Sequence, residues 1–213
     1  MGVNELPELI YLDHQATTPV DPAVLAAMLP YLGGRFGNAS SAHLAGQMAA
    51  DAVRAGRDQV AAMIDGRPQS VIFTSGSTEA NNLALGGLFA ASTGRRHLVT
   101  VATEHPSVLE PAHRWERSGG RVTVLAVDAQ GRIDLEELRE AMSEDTLVVS
   151  VMAANNEIGT LAPVAEIAEI AHAAGALYHC DATQAIGRIP VSVSASDIDL
   201  LSISSHKFYG PKG

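Results

Sequence analysis

The chain has 213 residues, 46% of them apolar and 18% charged, which is enough apolar content to fill the core of one large domain. Its formal net charge of −10 argues against non-specific binding to nucleic acid or anionic membrane, since both need clustered Lys and Arg. The single cysteine, Cys180, excludes an internal disulfide framework, and no run reaches the roughly 18 apolar residues of a spanning helix. The N-terminal stretch MGVNELPELIYLD has no basic region and no long apolar run, so no secretory signal is expected and a cytoplasmic protein is the simplest reading.

Residues 1–40 read as an N-terminal arm with one helix near Pro22–Leu32 and a loop-rich end, LGGRFGNAS. Ser41–Ile64 is rich in Ala with charges at helical spacing, and is expected to be a helix. Strands and helices then alternate. Strands are expected at Val71–Thr74, His97–Val101, Arg121–Val127, Leu147–Met152, Ala176–Cys180 and Asp199–Ser204. Each is short, rich in Val, Ile or Leu, and bounded by polar or turn residues. Helices are expected at Thr78–Ala91, Ser107–Ser118, Leu135–Met142 and Val164–Ala174. Pro106 and Pro163 suit helix starts, and Gly119 and Gly175 suit helix ends. This alternation implies an α/β fold whose mostly parallel sheet has helices on both faces.

In open α/β sheets, ligands bind beyond the carboxyl ends of the strands. Five expected strand ends carry polar or ionisable groups: Ser75-Gly76-Ser77-Thr78-Glu79, Thr103-Glu104-His105, Asn155-Asn156-Glu157, Asp181-Ala182-Thr183-Gln184 and Ser205-His206-Lys207. Each has a plain structural reading. The serine-rich turn could be an N-cap, His105 could be a cap or a partly buried histidine, Asn155-Asn156 could be a turn, and Asp181 could cap a helix. Together they suit one cofactor. A phosphate needs a helix N-terminus and hydroxyls. A pyridinium nitrogen needs a buried carboxylate, an aldehyde needs a lysine, and an aromatic ring needs a flat partner such as His. That set describes pyridoxal 5′-phosphate (PLP).

Lysine occurs only at 207 and 212, although the chain otherwise uses Arg for basic charge. Lys can lose its proton and act as a nucleophile, whereas Arg effectively cannot. Other chemistries lack their residues. His172 and His179 are not at a helical metal spacing, and there is no Cys/His cluster, so no metal site is expected. There is no GxGxxG after a strand and no GxSxG.

Seven motifs now define a pattern: YLDHQATTPVDP (11–22), FGNASSAH (36–43), FTSGSTEANNLA (73–84), TEHPSVL (103–109), NNEIGT (155–160), HCDATQAIG (179–187) and SSHKFYGPKG (204–213). In this order and spacing the chain resembles the cysteine desulfurases, in the class V aminotransferase group of fold-type I PLP enzymes. The resemblance runs from Tyr11 onward. It implies a three-layer α/β/α large domain over 41–213, with six of seven strands present and the C-terminal small domain absent.

For the site, the resemblance implies that Lys207 binds the cofactor aldehyde and later moves protons at the substrate Cα. It implies that Asp181 pairs with the pyridine nitrogen and that His105 stacks on the ring and moves protons. Ser77, Thr78, Ser204 and His206 would hold the phosphate. Gln184 would contact the ring's phenolic oxygen, with Asn156 near it and near the substrate carboxylate. Two departures are Ser205, where the family often has Gly, and Cys180, where it often has Val. Cys180 on a strand suits packing better than sulfur transfer.

The implied reaction converts L-cysteine to L-alanine and enzyme-bound persulfide sulfur, for iron–sulfur cluster assembly or another sulfur-transfer pathway. The implied partners are a second copy of the chain and a sulfur-acceptor or scaffold protein. Another class V enzyme, such as a selenocysteine lyase or aminotransferase, is the alternative within PLP chemistry. A non-catalytic, truncated PLP-binding chain is the alternative outside it. The family's catalytic cysteine lies on a later loop, so this chain alone is expected to be inactive. Its Val71–Thr74 strand is expected to lack a neighbour.

Overall fold

A computed structural model describes residues 10–212; the expectations for residues 1–9 and for Gly213 lie outside them. Among the described residues there are six α-helices and five strands, which alternate from Ser77 to Asp181. They are α1 (Pro22–Leu32), α2 (Leu44–Met63), α3 (Ser77–Ala91), β1 (His97–Val101), α4 (Pro106–Arg117), β2 (Arg121–Leu125), α5 (Leu135–Ala141), β3 (Thr146–Ser150), α6 (Val164–Ala173), β4 (Leu177–Asp181) and β5 (Leu200–Ser202). Helix starts follow local chemistry. The Asp21 carboxylate accepts from Ala23 N–H at 2.7 Å to cap α1, and Asp134 caps α5 in the same way. Pro106 opens α4, and Gly119 and Gly175, both with positive φ, follow the ends of α4 and α6.

All five strands are parallel, in the order β2-β1-β3-β4-β5. Both faces of the sheet are covered, so successive strand residues enter different cores. Leu98 and Val148 pack with Leu85 of α3 and Val108 and Trp115 of α4. Their neighbours Val99 and Val149 face the other way, with Leu138 of α5 and Ile167 and Ile170 of α6. This is the three-layer α/β/α arrangement, and it explains why the central strands read as unbroken apolar runs.

Two expected strands need correction. Arg121–Val127 ends at Leu125, and Val127 instead bridges Ile133 in antiparallel fashion across a turn. Val71–Thr74 is not a strand. A strand requires a hydrogen-bonded neighbour, and this segment has none among the described residues. A cleft of about 580 Å³ separates it from β5, lined by Val71 and Phe73 on one side and Leu201 and Ile203 on the other. Ile72 is 71% exposed and Phe73 53% exposed, and Arg57 donates to the Val71 carbonyl and lies over the Phe73 ring. The sheet therefore has five strands among the described residues.

Two buried histidines tie strands together through hydroxyls. His97 on β1 meets Thr146 of β3 at 3.0 Å through Nδ1 and Thr123 of β2 at 2.8 Å through Nε2. His179 on β4 meets Ser150 of β3 at 2.8 Å and Ser202 of β5 at 3.1 Å. Each ring thus spans three strands. Burial lowers the pKa of both, that of His97 to about 4 with a further push from Arg121.

Stability should accordingly fall with acidification. Below the ordinary histidine value of 6.5, the unfolded chain takes a proton that folded His97 refuses until about pH 4. That costs roughly 3 kcal/mol across the window for a shift of this size. Half-buried His172 works in the opposite sense, because hydrogen bonding to Asp199 raises its pKa. Urea unfolding at pH 7 and pH 5 is expected to show a loss at pH 5 that shrinks in His97→Asn.

Candidate active site

Parallel pairing points every strand's carboxyl end to one edge of the sheet, and the strand order reverses direction between β1 and β3. A cavity of about 400 Å³ opens at that edge, as expected for a switch point. It is lined by Ser77 and Thr78 from α3, His105 after β1, Met152, Asn156 and Glu157 after β3, Asp181, Thr183 and Gln184 after β4, and His206 and Lys207 after β5. Asp13, Gln15 and Ala16 close it from the N-terminal segment. Ser204 is not part of this lining. It lines an adjoining hollow with Ser75, Gly76, Ser77, Thr78 and His206.

The α3 start is shaped for an anion. Gly76 has φ 142°, a conformation that L side chains rarely adopt, and it offers no side chain to cap the helix. The first-turn N–H groups of α3 therefore face the hollow with the positive end of the helix dipole. Glu79 reaches back to accept from Ser75 N–H at 2.6 Å, which holds the turn.

Asp181 ends β4 and is buried. Its Oδ1 accepts from Thr183 N–H at 2.9 Å and its Oδ2 from Asn81 Nδ2 at 2.7 Å. A carboxylate offers about four acceptor sites, so lone pairs remain. His105 is the cap that the sequence left open, and it is exposed, not partly buried. Its Nδ1 accepts from Ser107 N–H at 3.1 Å and caps α4, and its ring lines the cavity.

Lys207 donates from Nζ to the carbonyls of Gln15 at 2.6 Å and Ala16 at 3.0 Å. Burial lowers its pKa, and nearby Arg188 lowers it further. Burial also lowers the pKa of His206, whose Nδ1 lies 3.0 Å from Thr17 Oγ1. Thr18 donates its hydroxyl to the His206 carbonyl at 3.0 Å and accepts from Tyr209 N–H at 2.7 Å, which pins the lysine loop to the N-terminal segment. Gln184 donates to the Gln15 carbonyl at 2.8 Å and accepts from Arg188 at 3.0 Å, leaving one amide hydrogen free. Asn156 donates to Glu157 at 3.1 Å.

Cys180 lies away from this chemistry. It is fully buried in β4, and burial pushes its thiol up to about 12. Such a thiol is a packing group and not a nucleophile.

Sequence reasoning missed Asn81 and Ser107, and it named Glu104 only among the strand-end groups, with no role. Asn81 had a usable signal, because it lies four residues after Ser77 and therefore on the same helix face. Glu104 is 5% exposed, accepts from Met152 N–H at 2.5 Å through Oε1, and has no partner for Oε2 among the described residues. Burial raises its pKa well above the usual carboxylate range, and the charge of Asp181 adds to this. Its bond to Met152 joins the loops after β1 and β3.

The sequence matches the Aminotransferase class-V family over residues 10–213. The chain belongs to this family. It is 50% identical over 207 residues to "Cysteine desulfurase IscS" of Anaeromyxobacter sp. (strain K), covering 96% of this chain and 51% of that protein. It is 48% identical over 206 residues to "Cysteine desulfurase, mitochondrial" of Drosophila melanogaster, covering 96% and 45%. Among solved structures, a NifS-like protein superimposes with a TM-score of 0.93 at 39% identity, covering 96% of this chain and 57% of that one. "SspA in complex with cysteine" gives 0.92 at 36% identity, covering 95% and 59%. The chain thus spans about half the length of the curated relatives it matches. As a class V chain it has the expected α/β architecture, with the cavity at the carboxyl edge of the sheet.

The upward shift of the Glu104 pKa can be tested. Glu104→Gln keeps an acceptor for Met152 N–H and carries no charge into the buried site, so its stability is expected within about 1 kcal/mol of the parent. Glu104→Ala leaves that buried N–H unpaired and is expected to cost about 1–3 kcal/mol more in urea unfolding.

Proposed function

We propose that this chain carries the cofactor site of a PLP-dependent cysteine desulfurase acting on L-cysteine. The observation that carries this reading is the meeting of Lys207, Asp181, His105 and the uncapped α3 start around one cavity. These residues fit PLP. The carboxylate of Asp181 retains acceptor capacity for a ring nitrogen. The α3 amides with Ser77, Thr78, Ser204 and His206 offer donors to a phosphate. Gln184 keeps a free amide hydrogen for the phenolic oxygen, and Asn156 lies on the same wall.

When bound, PLP supplies an electron sink for bonds at the substrate Cα. The chain's own residues supply the rest. Lys207 would hold the aldehyde, and its lowered pKa leaves more of the amine unprotonated, as a nucleophile and a carrier of protons at Nζ. Asp181, buried and held by two donors, would keep the pyridine nitrogen protonated. His105 offers a flat ring whose direction is set by the α4 cap. Residues 10–21, part of the arm read over 1–40, close the cavity through Asp13, Gln15 and Ala16, and Thr18 ties them to the lysine loop.

The sulfur acceptor must be a reactive thiol, and Cys180 lacks the exposure and the ionisation for that role. The reading includes a homodimer. It is supported by α1, which buries none of its residues and leaves Leu25, Leu29 and Leu32 exposed. It includes a sulfur-acceptor or scaffold protein serving iron–sulfur cluster assembly or another sulfur pathway, and a cytoplasmic location. Among the described residues no helix is long and apolar enough to cross a membrane.

Two results are expected. Borohydride reduction of the PLP-treated protein followed by peptide mapping should place the cofactor on Lys207, and a label on Lys212 would remove Lys207 from this role. Residues 1–213 given PLP and L-cysteine without an external thiol should release no catalytic sulfide. Sustained release that depends on Cys180 would overturn the assignment of that thiol to packing.

A further inference from the structure

Asp181 and His105 come from different strand ends, and no hydrogen bond joins them directly. A buried chain of side chains connects them. Asn81, on α3 and completely buried, donates one amide hydrogen to Asp181 Oδ2 at 2.7 Å and the other to Ser107 Oγ at 2.9 Å. The amide orientation follows from its partner, because reversing it would set Oδ1 against a carboxylate oxygen. Ser107 Oγ lies 2.7 Å from His105 Nδ1. Ser107 N–H also points at that nitrogen, at 3.1 Å, which favours an unprotonated Nδ1 whose single lone pair is shared by the amide and the Ser107 hydroxyl. Every donor in the series therefore has one direction. The amide of Asn81 gives to both Asp181 and Ser107, Ser107 gives to His105, and the His105 proton is left on Nε2.

We infer that Asn81 and Ser107 are positioning residues that couple Asp181 to His105, holding the carboxylate and the imidazole in one hydrogen-bonded unit and fixing His105 as the Nε2–H tautomer. The unit joins α3, the α4 cap and the end of β4 beside the cavity. Asn81 spends both amide hydrogens on it, while its buried Oδ1 has no partner among the described residues. A side chain kept only for packing has no need of an amide with an orphaned oxygen, since an apolar group of the same shape would avoid that cost. Because the network behaves as a unit, losing one member releases the others.

For its effect on cofactor binding, the inference rests on the proposed function; its tautomer claim does not. The test therefore has two arms, each applied to the full chain and to Asn81→Ala, Ser107→Ala and the double variant, with thermal melts verifying that each is folded. The first arm uses cofactor-free protein with 15N-labelled histidine. His105 Nδ1 should resonate as an unprotonated acceptor, and its signal should move in Asn81→Ala although Asn81 does not touch the ring. A protonated Nδ1, or an unmoved signal in folded Asn81→Ala, would overturn the inference. The second arm titrates PLP and reads absorbance. Each single variant should weaken binding about tenfold, and the double variant should be no worse than the weaker single, as expected for one coupled unit. Independent, multiplying losses would overturn the coupling. Failure of the parent to bind PLP would sink the proposed function instead, with the tautomer still decided by the first arm.

Discussion

Asp181 is the last residue of a strand paired on both sides, and its carboxylate is held by donors from two separate parts of the chain. Its backbone is in register with Ser202 on β5, and its carbonyl accepts from Ala153 N–H after β3. Its side chain is held by Thr183 and Asn81. A buried carboxylate is expensive unless each oxygen is paired. That expense explains why α3 spends an interior position on Asn81 and why the turn after β4 presents an amide to Oδ1. The surroundings of the cavity are arranged around satisfying this one group.

The parallel sheet makes this arrangement possible. Antiparallel strands would send alternate ends to opposite edges, and His105, Asp181 and Lys207 would not meet. Parallel pairing needs crossover helices, and those helices cover both faces of the sheet. The same covering buries His97 and His179, whose rings then serve as rungs between strands because threonine and serine hydroxyls lie on either side. Polar residues in the core thus strengthen the scaffold, while polar residues at its carboxyl edge build the site.

The lysine loop depends on a long-range contact. Lys207 follows β5, yet its Nζ is held by carbonyls of Gln15 and Ala16, and Thr18 anchors the adjoining backbone at His206. The N-terminal segment therefore does more than precede the domain. It forms one wall of the cavity and contributes to the desolvation that lowers the lysine pKa. Substitutions at Thr17 or Thr18, far from Lys207 in sequence, act on the geometry of the same site.

The alternation of strands and helices, the parallel sheet and most of the cavity lining were legible from residue order. Period, caps and strand-end position are local properties that any reader of the chain can follow. The bounds of α1 were read without error, and those of the central strands to within two residues. Residues at strand ends were legible as a site because topology sends all those ends to one edge. Val71–Thr74 was misread for a physical reason, since local composition can favour an extended chain but only a neighbour can make it a strand. The double role of His105, the insertion of Asn81 between Asp181 and Ser107, and the raised pKa of Glu104 were likewise beyond local reading. Each depends on which groups from distant segments come within about 3 Å in a site shielded from water, and burial and pairing of that kind exist only once the layers have packed.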